Sequence, residues 1–389
     1  VRDASSSELL APQVMWEAYI SQRMRITDVT QHHVENALDG AYNPTWIPGY
    51  PQGANEAELI EVETDEGITG WAASPSFAGG IGYEDQLSLL LVGKNPHDLN
   101  TVRRTLETFD LLGPRPWHIE MALWDILGKD AGKPVYELLG GSDDSIPAYA
   151  STGEHKSVEE RLEYVKERVS DGFEAVKLRF GREEIEDDLE VARSVRDEFP
   201  DLTLMVDANM GWKARVVEEG RTWNYKEAAH VARELGEIGG VDWLEEPLNR
   251  YDYRDYARLR EESPVRIAGG EFTDSVHELR ELLRHDALDV VQPDCAIACG
   301  LGQAKSIAEQ AERQGVEYTP HSWTNGLGVV ANLHVAAATD PSWFEYPYEP
   351  PFIPEARDFL LESHIEHEDG EVTPPDAPGL GIEIDRSFL

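Results

Sequence analysis

The stretch AVKLRFGREEIEDDLEVARSVRDEFPDLTLMVDAN, residues 175–209, reads as strand, helix, strand. Its ends, AVKLRFG and TLMVDAN, are short apolar runs that finish in polar residues, and its middle is a charged amphipathic stretch. Apolar runs of this length separated by a helix-period segment mark parallel strands joined by a crossover helix. The same beat extends in both directions. IPAYAST (146–152) precedes it, and VDWLEEP (241–247), VRIAGGE (265–271), ALDVVQPD (287–294), VEYTPHS (316–322) and WFEYP (343–347) follow. Between them lie helical patterns such as SVEERLEYVKERVSDG and GLGQAKSIAEQAERQG, several closing on Gly, a helix-stop signal. Eight such units in series predict an α/β fold built as a TIM-type (β/α) barrel. A doubly wound sheet shares the alternation, but no G-x-G-x-x-G follows any strand run.

Residues upstream follow a different pattern. QRMRITDVTQHHVENA (22–37) and AELIEVETDEGITGWAAS (57–74) read as antiparallel strands with a DEG turn. EDQLSLLLVG, LNTVRRTLETFDLLG and WHIEMALWDILGKDAG read as helices. Strands followed by helices predict an α+β capping domain over 1–135, ahead of a barrel over 136–355. The tail, 356–389, is expected to pack back on the capping domain. Residues 41–55, AYNPTWIPGYPQGAN, are either a surface turn or a lid bearing Trp46 and Tyr50.

Composition limits the partners. The 389 residues are 41 % hydrophobic, enough for a sizeable core, and carry 75 Asp and Glu against 34 Lys and Arg, a net charge of -41. Such a chain lacks the clustered basic surface that nucleic acid demands, and an anionic membrane would repel it. No run approaches the roughly 18 apolar residues of a membrane span. Two cysteines, Cys295 and Cys299, make no disulfide framework and suit a reducing cytosol, and VRDASSSELLAPQ has no apolar signal core; a cytoplasmic protein is expected.

The polar residues at the strand ends carry the chemistry. Lys177 and Arg179, two apart on the second run, point the same way. Asp207, Glu245 and Glu271 end the third, fourth and fifth runs; Asp294, His321 and Glu345 end the sixth, seventh and eighth. Barrel active sites form on this face. One such acid alone is an ordinary solvated residue, but three on adjacent strands can converge on a divalent cation, and an all-oxygen set suits Mg2+. Asp294 and His321 form a dyad in which the carboxylate fixes the imidazole tautomer and raises its basicity. Lys177 can offer charge to a substrate carboxylate.

K-x-R in AVKLRF, D-A-N in VDAN, E-E-P in WLEEP, G-E in AGGEF, Q-P-D and the P-H-S of YTPHS together resemble the enolase superfamily, specifically its mandelate racemase subgroup. ALWDILGKDAGKPVYELLGG (122–141) is similar to the family's link between capping domain and barrel, so the resemblance covers essentially the whole chain. It implies that Asp207, Glu245 and Glu271 bind Mg2+, that His321 with Asp294 is the acid–base dyad, and that Lys177 meets the substrate carboxylate. It further implies that Glu345 donates a hydrogen bond to an enolate oxygen, that Asn209 touches substrate, and that the chain is a homo-oligomer. Residues 211–224, GWKARVVEEGRTWN, read as an insertion after the third strand.

There is one departure. The family often has a lysine base where this chain has Arg179, and a guanidinium cannot serve as a base. A racemase needs a base on each face of the carbanion; a dehydratase can work with one. The expected activity is therefore a Mg2+-dependent acid-sugar dehydratase that removes the proton α to a carboxylate and expels the β-hydroxyl, acting on a small-molecule sugar acid. An epimerase and a lactone cycloisomerase are the alternatives within the family, and a sugar-acid binding protein without turnover is the alternative outside it.

The dispersed acidity, with 9 Lys against 25 Arg, resembles that of proteins from salt-loving microbes. Salt screens the self-repulsion of such a surface. The thermal midpoint is accordingly expected to rise from dilute buffer to molar KCl, and a flat melting curve across that range would reject the haloadapted reading.

Overall fold

The computed structural model describes residues 24–74, 84–111, 115–213, 217–350 and 352–389. The first residues of the expected N-terminal strand run (22–23), the segment VRDASSSELLAPQ (1–13), residues 112–113 of the expected second helix and residues 214–216 of the expected insertion lie outside these.

Strands β1 (Ile26–Tyr42), β2 (Gln52–Thr64) and β3 (Thr69–Ala73) form an antiparallel sheet in sequence order. The DEG turn joins the last two strands, with Gly67 at φ 76°, a left-handed conformation that glycine adopts without a Cβ penalty. Helices α1 (Glu84–Leu91), α2 (Leu99–Asp110) and α3 (Ile119–Ala131) accompany the sheet. On α2, Val102, Leu106 and Phe109 are buried, an i, i+4, i+7 stripe. The expected loop 41–55 is shorter in the structure, because β1 runs through Tyr42 and β2 begins at Gln52; strand pairing claims both flanks.

The second unit is a curled parallel sheet. Its strands are β4 (Ile146–Ser151), β5 (Ala175–Arg179), β6 (Thr203–Asp207), β7 (Val241–Glu245), β8 (Arg266–Gly269), β9 (Val290–Val291), β10 (Glu317–Tyr318) and β11 (Phe344–Pro347). They pair in sequence order from β4 to β10, and β11 returns to pair with β4, as the strand order of a (β/α) barrel requires; among the described residues no ladder joins β10 to β11. Seven helices alternate with them: α4 (Val158–Ser170), α5 (Ile185–Glu198), α6 (Tyr225–Ile238), α7 (Tyr253–Glu262), α8 (Val276–Arg284), α9 (Leu301–Glu312) and α10 (Gly326–Ala337). After β11 the eighth helix shrinks to Pro354–Arg357.

Alternation along the strands builds the interior. Tyr149, Ala175, Met205, Trp243, Ala268 and Val290 point inward and pack as an apolar floor. Residues two further along share that face, so Ser151, Lys177, Asp207 and Glu245 form a polar layer directly above it. The register places Arg179, Asp207 and Glu245 side by side. Outward residues such as Val176, Leu178, Leu204, Val206 and Ile267 join the main hydrophobic core.

Four expected strand-end residues sit differently. Glu271 lies two residues beyond β8, Asp294 three beyond β9 and His321 three beyond β10, whereas Glu345 lies inside β11. Pro293 and Pro320 explain the short sixth and seventh strands: proline supplies no ladder N–H and restricts the residue before it. The chain beyond each proline turns inward over the barrel mouth.

The two units are tied by Asp125 on α3, which is fully buried. It accepts the backbone N–H of Trp71 at 3.1 Å and that of Leu380 at 2.9 Å, so one carboxylate holds sheet, helix and C-terminal tail. A further short strand, β12 (Glu371–Val372), pairs antiparallel with the start of β4. Asp125→Ala is expected to cost about 1–3 kcal/mol for each N–H left unpaired; an unchanged urea midpoint would contradict this.

Candidate active site

At the C-terminal mouth of the sheet, ligand atoms of Asp207, Glu245 and Glu271 lie within 4.8 Å of one another, all buried. Each carboxylate has at least one oxygen steadied by a neutral N–H. Asn209 N donates to Asp207 Oδ1 at 2.8 Å, Trp243 Nε1 and Gln292 Nε2 each donate to Glu245 Oε2 at 3.1 Å, and Trp212 Nε1 donates to Glu271 Oε1 at 2.8 Å. Asn209 reaches this position at φ 48°, a conformation asparagine tolerates better than most residues.

Two cations lie against the cluster. The Lys177 ammonium is 2.6 Å from Glu345 Oε1, 2.9 Å from Glu245 Oε1 and 3.7 Å from Asp207 Oδ2, and it is fully buried. Burial pushes its pKa down, but the carboxylates of Glu245 and Glu345 outweigh this and the net shift is upward. In this arrangement Lys177 is the counter-ion of the acidic cluster. Arg179 pairs with Asp207 and donates through Nε to Thr152 O. Its guanidinium is 5.1 Å from the ring centres of both Trp46 and Trp323, held between two indoles.

The dyad is formed. His321 Nδ1 is 3.0 Å from Asp294 Oδ2, while Asp294 Oδ1 accepts from Ala296 N at 2.7 Å and from Asn332 Nδ2 at 3.1 Å. With Nδ1–H committed to the carboxylate, Nε2 is the nitrogen left to take up or release a proton, an assignment made from the hydrogen bonding. Nε2 lies 3.5 Å from Glu271 Oε2 and 3.9 Å from Glu345 Oε2. Burial lowers the imidazole pKa, but Glu271, Glu345 and Asp294 together lift it to about 10. Glu345 accepts from Ser151 Oγ at 2.7 Å and Ser322 N at 2.8 Å. Against its burial, Lys177, His321 and Arg179 hold its carboxyl well below the usual range. In this structure both of its oxygens accept hydrogen bonds.

The donor set fits a hard divalent cation. Burial and the neighbouring carboxylate charge push Asp207 up to about 8, with Arg179 opposing, and burial also pushes Glu271 up to about 8, with His321 opposing. Glu271 Oε2 is buried without a hydrogen-bond partner among the described residues. Three oxygen ligands with excess negative charge and an uncommitted lone pair match Mg2+.

The cavity over this centre is lined by Trp46, Arg179, Asn209, Trp212, Glu271, Phe272, Ile297, His321 and Trp323. Two of the three expected substrate-binding residues, Trp46 and Asn209, are therefore on its wall. Tyr50 is not; its side chain is 51 % exposed on the outer side of the loop. That loop is seated on the barrel: Asn43 N donates to Glu154 Oε1 at 2.6 Å, Thr45 N to Gly153 O at 3.0 Å and Thr45 Oγ1 to Asn209 Oδ1 at 3.2 Å. A Cβ on Gly153 would fall 1.5 Å from the Tyr42 hydroxyl, so only glycine permits this contact. His155, in the loop after β4, lines a separate cavity together with Thr45 and Ile47. The sequence reading missed Trp212, Phe272, Ile297 and Trp323. Two of them were within reach of it, since Trp323 follows His321 by two residues and Trp212 follows Asp207 by five.

Comparison with known proteins agrees with this geometry. The family profile described as Enolase C-terminal domain-like matches residues 160–388, and that of the Mandelate racemase / muconate lactonizing enzyme N-terminal domain matches residues 51–140. The chain belongs to the mandelate racemase group of the enolase superfamily. It is 33 % identical to D-galactarolactone cycloisomerase of Agrobacterium fabrum, covering 94 % of this chain and 98 % of that protein. It is 31 % identical to arabinonate dehydratase of Saccharolobus solfataricus, covering 87 % and 91 %. The structure of L-talarate dehydratase from Polaromonas sp. JS666, complexed with Mg and L-glucarate, superposes with a TM-score of 0.80 at 26 % identity, covering 94 % and 96 %. Among the described residues no helix is long and apolar enough to cross a membrane.

Chelation is expected to abolish turnover, with Mg2+ restoring it better than Zn2+ because every ligand is oxygen. Glu245→Gln is expected to lose both bound metal and activity; full activity in metal-stripped protein would overturn the assignment.

Proposed function

We propose that this protein is a Mg2+-dependent acid-sugar dehydratase, converting a sugar acid to its 2-keto-3-deoxy product with one acid–base residue, His321. The observation that carries this reading is the make-up of the cavity wall. Among the described lining residues, Glu271 belongs to the metal set and Arg179 is locked between Trp46 and Trp323 and paired with Asp207. His321 is left as the group able to take and return a proton. Epimerisation needs a second such group on the opposite face, which disfavours it here.

The proposed step is a β-elimination. His321 Nε2 takes the α-proton, the electron pair of that C–H bond becomes the Cα–Cβ double bond, and the β C–O bond breaks. The imidazolium then gives its proton to the departing hydroxyl, which leaves as water, and the enol product tautomerises to the 2-keto acid. Asp294 steadies the imidazolium through Nδ1. When bound, Mg2+ would stabilise the charge that develops on the substrate carboxylate and offset the Glu271 charge that lifts His321. Lys177 and Arg179 oppose the burial that favours protonation of Asp207 and Glu245, and the aromatic wall excludes water.

A second reading has specific support in the likeness to a cycloisomerase. The same proton abstraction on a sugar lactone would expel the ring oxygen as a carboxylate, giving an isomer of the substrate. Mass spectrometry of the product separates the two: dehydration yields a product lighter by one water, ring opening does not.

His321→Asn is expected to lower dehydration by at least about 10²–10⁴-fold and to remove α-proton exchange in heavy water with it. Exchange that persists in this variant would reveal another base and return the epimerase reading.

A further inference from the structure

Trp212 serves the site in a way that neither the family resemblance nor the proposed reaction assigns. It sits in the loop after β6, and the backbone before it is fixed. Met210 N donates to Glu246 O at 2.7 Å, and Arg250 N donates to Gly211 O at 3.1 Å. A Cβ on Gly211 would lie 1.3 Å from Glu246 Oε2, so the chain passes hard against that buried carboxyl group and the next side chain is launched over the barrel mouth.

Two contacts then hold the indole. Its face stacks on Phe272, with ring centres 4.4 Å apart and planes 24° apart. Phe272 in turn lies under the Arg115 guanidinium, 4.3 Å from its ring centre, and Arg115 Nη1 donates to Thr273 O at 3.1 Å. The column Arg115–Phe272–Trp212 thus runs from the segment just before α3 to the cavity wall. At its end, Nε1 donates to Glu271 Oε1 at 2.8 Å, in the normal range for an N–H···O bond.

The two oxygens of Glu271 consequently have different fates. Oε1 is taken by the indole, while Oε2 accepts no hydrogen bond among the described residues and faces His321 Nε2 at 3.5 Å. We propose that Trp212 is a positioning residue for the metal: its N–H pins Glu271 so that a single oxygen, Oε2, is presented to Mg2+. Groups that hold a ligand in this way typically set metal affinity by about 10–100-fold.

The proposal rests on the metal site and is independent of which elimination follows. The test is calorimetric titration of MgCl2 into metal-stripped protein, comparing two variants that divide the indole's roles. Trp212→Phe keeps the ring on Phe272 and loses the N–H. Trp212→Gln loses the ring but keeps an N–H three bonds from Cβ, as in tryptophan. Trp212→Phe is expected to bind Mg2+ about 10–100-fold more weakly with an unchanged thermal midpoint of the metal-free protein. Trp212→Gln is expected to stay within a few-fold of the parent. Parent-like affinity in Trp212→Phe, or equal loss in both variants, would overturn the proposal, since stacking or bulk would then be the cause. If Trp212→Phe does not fold, Trp212→Leu, which has neither ring nor donor, takes its place against Trp212→Gln. A dehydratase assignment that fails while Trp212→Phe still loses Mg2+ leaves this inference standing; normal Mg2+ binding with intact dehydration leaves only the reaction.

Discussion

The structure is organised around a charge problem. Asp207, Glu245, Glu271, Asp294 and Glu345 are all withdrawn from water at the mouth of one barrel. Desolvating an ionised carboxylate costs several kcal/mol unless a counter-charge or hydrogen bonds replace the water. Lys177, Arg179 and His321 supply part of that replacement, and backbone and indole N–H groups supply more. The remainder shows in the upward shifts of Asp207 and Glu271. A divalent cation answers that remainder, so the metal belongs to the stability of the site as well as to its chemistry. The apolar floor of Tyr149, Met205 and Trp243 sharpens the problem, because water cannot reach the carboxylates from below.

Arg179 ties the loop to the acidic cluster. Its guanidinium is caged by one indole from the loop and one from the segment after β10, and its charge is spent on Asp207. The cage also explains why the loop between β1 and β2 lies down on the barrel: Tyr42, Trp46, Trp323 and Phe352 form a single aromatic cluster that straddles the two units. The residue that cannot act as a base has become the post on which the cover rests.

Much of this was legible in the chain itself. Period-two runs and their polar last residues placed Lys177, Arg179, Asp207 and Glu245 correctly, because strand alternation leaves no freedom once one inward residue is known. The residues beyond the strands were legible by motif and less so by geometry. Pro293 and Pro320 cut β9 and β10 to two residues each, so Asp294 and His321 meet through loops whose course no periodicity encodes. The cavity wall was the least readable part. Trp212, Phe272 and Ile297 come from three separate connections, and Tyr50, equally aromatic and on the expected loop, faces solvent. Composition alone does not say which side of a turn a ring will take.

The Asp125 tie bears on the order in which the molecule assembles. Its carboxylate joins a strand near the start of the chain to Leu380, 255 residues later than Asp125 itself. Contacts of such sequence separation are slow to form, and a nascent chain emerges from its N-terminus. The Trp71–Asp125 contact needs only the first third of the chain, whereas its Leu380 partner is supplied from near the other end. Every carboxylate of the metal centre is synthesised between these two, so the tail closes a joint that spans the whole set of metal ligands.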